Sequence, residues 1–284
     1  MKKLCIGLFA MWTAIATAGV TYTAKVTMEM YNQTPEAQQQ MEQYGGLTEP
    51  QEMKAFAQGN GARIKFLTDH MLYQKDDFAV TEDGVVMYLC SPATKTYHKF
   101  DTKAMMQQAQ GMLDTMQKMT KMQYENIFVN VTEQGDGGSV AGFPTTKYRV
   151  LIEYDINMKI LFKKVKQHHK EEFVVYATND LSRDMLPGYH NQQMFGTGIE
   201  EIDGQIKGKL ENIGFPLKTE HLSYGEKNEL VSKTTFEITE MEEKDLNPQL
   251  FKVPDGYTEK EIEVEAQGEN GETQKKKFKL GDLF

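Results

Sequence analysis

Six methionines lie in the stretch TKAMMQQAQGMLDTMQKMTKM, residues 102–122. A thioether is soft, unbranched and polarisable. It suits copper(I) ligation, or apolar contact with partners of variable shape. Spacing separates the two. At 3.6 residues per turn, Met105, Ala109, Met112, Met116 and Met119 fall on one helical stripe, with Met106 and Leu113 beside it. Gln and Lys take the opposite side. A stripe of this width is what a helix needs to pack on a core, so it reads as an apolar wall and not as a metal site. Core packing is the plainer reading of the stripe and the lid or floor of a lipid-sized cavity the sharper one, and the two overlap because a cavity wall is also an apolar face. Met105, Met112, Met116 and Met119 are the expected lining, with Phe66, Phe128 and Tyr148 on strands as the opposing wall.

Other residues capable of chemistry give weaker patterns. His168 and His169 are adjacent, so on a strand they point to opposite faces and cannot share an ion. His70, His98, His190 and His221 are scattered. The chain has no Gly-x-Ser-x-Gly elbow, no Ser-x-x-Lys and no His-Glu-x-x-His. Gly135-Asp136-Gly137-Gly138 lacks the lysine of a phosphate loop and reads as a turn. No catalytic residue, metal or cofactor is expected. Lys163, Lys164, Lys166 and Lys170 read as a solvated strand edge, or as a docking patch for an acidic partner.

The elements that would position these residues are mostly strands. VTYTAKVTMEMY (20–31) alternates apolar and polar side chains, as a sheet with one wet face requires. Gly59-Asn60-Gly61 marks a hairpin between EMKAFAQ and ARIKFLTDH. Ser91-Pro92-Ala93-Thr94 marks another turn. Residues 32–50 and 181–200 read as loops, IEEIDGQIKGKLENI as a second, weaker helix, and GFPLKTEHLSY and LVSKTTFEITEMEE as two long alternating strands joined at Gly225.

The N-terminus MKKLCIGLFAMWTAIATAGV has the layout of a secretory signal: Lys2 and Lys3, a short apolar core, then Ala16-Thr17-Ala18 before Gly19. Cleavage would take the formal charge from −9 to −11 and leave Cys90 as the single cysteine. No internal disulfide is then possible, and Cys90, in VVMYLCSP, reads as a buried thiol. Only three of the basic residues are arginines. An acidic, Arg-poor chain argues against nucleic-acid binding. No transmembrane span is expected in the mature chain.

VAGFPTTKYRV (140–150), FVVYATNDL (173–181), GFPLKTEHL (214–222), FEITEME (236–242) and LFKVPDGYTE (250–259) occur in that order, after GVVMYLCSPATKTYHKFD. Together they resemble an exported bacterial family, domain of unknown function 4412. That family is similar to the lipoprotein-carrier superfamily of LolA/LolB and LppX-like proteins. The resemblance implies a half-barrel whose cavity shelters acyl chains in the periplasm.

The expectation is therefore an α+β fold, a strongly curved antiparallel sheet (half-barrel) closed by the Met-rich helix. Residues 1–18 are the signal, 19–257 the carrier-like domain and 258–284 a charged extension. The expected function is non-enzymatic: a periplasmic or secreted protein that binds or carries an acyl chain, lipid or lipoprotein. The alternative is a cavity-free envelope protein that meets a protein partner through its surface.

Overall fold

The computed structural model describes residues 19–31, 49–70, 73–101, 104, 107, 111, 115, 119–160, 163–181, 199–210, 213–267 and 273–278. Its strands are β1 (Val20–Met30), β2 (Gln51–Gln58), β3 (Gly61–Phe66), β4 (Phe78–Thr81), β5 (Val86–Ser91), β6 (Thr96–Asp101), β7 (Gln123–Val140), β8 (Phe143–Ile160), β9 (Lys163–Thr178), β10 (Phe215–Tyr224), β11 (Leu230–Glu243), β12 (Thr258–Glu259), β13 (Ile262–Gln267) and β14 (Thr273–Phe278). One complete helix, α1 (Glu200–Leu210), precedes β10, and a 3-10 turn spans Pro248–Phe251.

Twelve strands form one sheet in the order β12-β6-β5-β4-β3-β2-β1-β11-β10-β9-β8-β7, while β13 and β14 pair separately. Strand makes up 64% of the structure and the sheet is not closed. These features overturn the expected α+β half-barrel closed by a helix. The fold is sheet-dominated. Closure would require one edge to pair with the other. Instead β12 runs parallel to β6 and occupies that edge, and β7 forms the far one. All other ladders are antiparallel.

The long edge strand β7 is irregular. Its register against β8 shifts between Glu125 and Phe128, between Glu133 and Gly135, and between Asp136 and Ser139. Asn126, Gly135 and Gly138 take positive φ at these places. Bulges twist an edge away from further pairing, so they guard an 18-residue strand that would otherwise template aggregation.

Directly opposed residues share a sheet face, so the register defines two faces. Tyr148, Val175, Thr219, Phe236, Val26 and Gln51 are linked pairwise across β8, β9, β10, β11, β1 and β2. Met53 follows Gln51 on that face and opposes Phe66. This is the apolar face. The other carries Lys25 opposite Glu237, and Lys218 also opposite Glu237.

Each face is covered at one end. On the apolar face, α1 places Ile202 and Ile206 one turn apart against Val129, Val150, Ile152, Phe173 and Val175. Lys209 in its last turn donates to the Val129 carbonyl, which also suits the negative helix end. On the polar face, the chain after β11 folds back over β3–β6. Val253 and Tyr257 pack on Phe78, Val80 and Cys90. The 3-10 turn there begins at Asn247, whose Oδ1 accepts from the Gln249 amide at 3.0 Å, with Pro248 just inside. Arg63 lies over the Phe78 ring at 3.7 Å and closes this second core.

Candidate functional site

Away from α1, the apolar face presents half-buried side chains. Phe100 on β6 opposes Met87 on β5, and Leu89 opposes His98. Ile64 and Phe66 follow on β3, Met53 on β2, Val26, Met28 and Met30 on β1, and Phe236 on β11. From β6 to β11 there are seven adjacent strands. At about 4.8 Å per strand the strip spans about 29 Å, longer than the ~15 Å depth of one bilayer leaflet.

A polar notch interrupts it. Thr234 opposes Met28 on one side and His221 on the other, and Ser232 opposes Met30 and Ser223. His221 is stacked flat on Phe173, with ring centroids 4.3 Å apart and 3° between planes. Its Nε2 lies 3.4 Å from Glu171 and 3.5 Å from the Ser223 hydroxyl. Serine, histidine and glutamate together suggest nucleophilic catalysis. A relay, however, needs the acid on one ring nitrogen and the hydroxyl on the other. Here both approach Nε2, so the group is a hydrogen-bonded polar patch. Beside it the Thr219 hydroxyl is buried with no hydrogen-bond partner among the described residues.

The expected lining residues are dispersed. Met105, Met112 and Met116 lie outside the described residues. Met119 is helical and 79% exposed, and positions 104, 107, 111 and 115 are also helical and exposed. Phe66 stands on the apolar face, stacked on Tyr73 at 3.6 Å. Tyr148 is on the same face six strands away, packed beside the α1 core. Phe128 opposes Glu153 on the polar face and is 49% exposed, because the bulge at Asn126 shifts its register. The strip itself is built from β1, β2, β3, β5, β6 and β11; the turns after β2 and β5 were legible in the sequence, but the meeting of β1 with β11 was not.

Histidine and lysine placement follows the same two faces. His169 stacks on Tyr154 at 5.2 Å on the apolar face. His168 is on the other, 2.9 Å from Asp155. Asp155 also accepts from Asn126 at 2.6 Å and Lys166 at 2.9 Å. These three bonds, the Asn126 amide foremost, hold its carboxyl well below the usual carboxylate range. Lys163 opposes Ile160, so it leaves the face shared by Lys164, Lys166 and Lys170. Lys170 is engaged with Asn228 at 2.6 Å and over the Tyr224 ring.

Cys90 is fully buried against Phe78 and Val80, and burial pushes its thiol up to about 11. A thiol in that state is neither nucleophile nor ligand at neutral pH. No helix among the described residues is long and apolar enough to cross a membrane. Among the described residues no group of three or more His, Cys, Asp or Glu is placed to hold a metal ion. No protein-family model, curated protein or solved structure matches this chain.

Proposed function

We propose that this is an exported, non-enzymatic binding protein whose ligand is an amphiphile with an acyl chain. The carrying observation is the strip of half-buried apolar side chains, from Phe100 to Phe236, held on one face of an open sheet. Core strands bury such residues fully, as β8 does with Val150 and Ile152. The strip is left half-buried over a length that suits an acyl chain, and four of its residues are adaptable methionines: Met28, Met30, Met53 and Met87. The Thr234–His221–Ser223 notch offers the polar end of an amphiphile donors and acceptors beside the chain. Burial of the chain would contribute about 25 cal/mol per Å² removed from water, so no charged contact is needed for affinity. The strand phrases resemble an exported family that is itself similar to lipoprotein carriers, which supports the same reading.

The test is native mass spectrometry, with lipid extraction, of the protein purified from the envelope of its own cells. Co-purifying acyl lipid at near-equimolar amounts supports the reading. A lipid-free protein that also ignores added fatty acid overturns it. The same spectrum reads the export step, since a chain beginning at Gly19 is expected.

A further inference from the structure

The β7–β8–β9 ribbon ends in a cavity of about 570 Å³, far from the apolar strip. Its lining includes Lys121, Lys159, Lys164 and Lys166, with Glu125 as the one acid among the described residues. Gln123 and Asn157 add side-chain amides. The register puts Lys159 directly opposite Lys164. Like charges facing each other across a ladder destabilise the pair, and only Lys166 is neutralised by a carboxylate among the described residues, at Asp155. In a chain of net charge −9 this is a local excess of positive charge gathered around a concavity.

We propose that this cavity binds a phosphate monoester group. Lysines act as point charges that converge on phosphate oxygens. Several uncompensated lysines favour a multiply charged anion over a single carboxylate. The volume falls within the range of organic-ligand sites and exceeds what a bare ion needs. The Gln123 and Asn157 amides offer hydrogen bonds to the organic part. The cavity is lined mainly from the polar face, because Gln123 opposes Asn157 and Glu125 opposes Asp155 there. It is therefore independent of the amphiphile strip.

The source of the phosphate, a soluble ester or a lipid headgroup, is read by two arms on the full mature chain. One arm titrates glycerol phosphate by calorimetry. The other measures co-sedimentation with phosphatidylcholine vesicles with and without phosphatidic acid. The Lys159→Gln, Lys164→Gln double variant is run in both, with Lys54→Gln on β2 as the control. Saturable binding in the first arm assigns a soluble ester, and in the second alone a headgroup. In either case the double variant should bind about tenfold more weakly. It should melt no lower than the parent, because it removes a repulsion. No binding in either arm, or a double variant that binds like the parent, overturns the proposal.

Discussion

Gly61 and Phe251 touch across 190 positions of sequence: a Cβ on Gly61 would sit 2.7 Å from the Phe251 ring. The hairpin glycine is thus also the seat of the C-terminal cover. Gly61→Ala should force Phe251 out and cost about 1–3 kcal/mol. Phe251→Ala should cost about 3–5 kcal/mol by leaving a cavity. Urea midpoints measure both. When the two are combined, Gly61→Ala should add little to the cost of Phe251→Ala, because the ring it would clash with has gone.

Helix α1 buries two side chains in the sheet core. Ile202 and Ile206 are almost completely buried against β7–β9. Ile206→Ala should cost about 2–5 kcal/mol. Hydrogen exchange should then rise first in 200–210, because the β8–β9 ladder beneath keeps its own bonds.

Asp155 makes stability depend on acid. Its carboxyl is held below the usual range in the folded chain by Asn126, Lys166 and His168. A depressed carboxylate stabilises the fold fully above its unfolded pKa of about 4, and that contribution is lost as pH falls through the lower folded value. Asp155→Asn should therefore be less stable than the parent at pH 7, and the gap should close below pH ~4. Denaturation midpoints across that range check the sign.

Cys90 should resist modification. Burial raises its thiol to about 11 and leaves it without exposure. A disulfide reagent at pH 8 should label it only in denaturant, and Cys90→Ala should change no binding property of the native protein.

Much of the strand content was legible. The alternation of β1 and the Gly59-Asn60-Gly61 turn gave β1, β2 and β3 with their wet and dry sides. The stretch IEEIDGQIKGKLENI read as a weaker helix, and α1 lies within it. Other features left no local trace. β8 ends at Ile160 and β9 begins at Lys163, and no Gly, Pro or Asn in 159–166 announces that the chain doubles back there. β1 pairs with β11, more than two hundred residues away, and pairing at that distance has no sequence signature. The β6 edge is taken by Thr258 and Glu259, two residues that read as the start of a tail. Phe128 faces the wrong side for an apolar lining because one bulge reverses the alternation that sequence period assumes.

The central claim is that the half-buried strip is a binding face, and a fluorescent fatty-acid titration tests it most directly. Met28→Glu and Phe236→Glu place charge on the strip beside its polar notch, while Lys25→Glu places it on the other face of β1. The account predicts saturable binding by the parent and by Lys25→Glu, and at least tenfold weaker binding by each strip variant, with all four proteins folded by circular dichroism. Equal binding by the strip variants, or no binding by the folded parent, would contradict it.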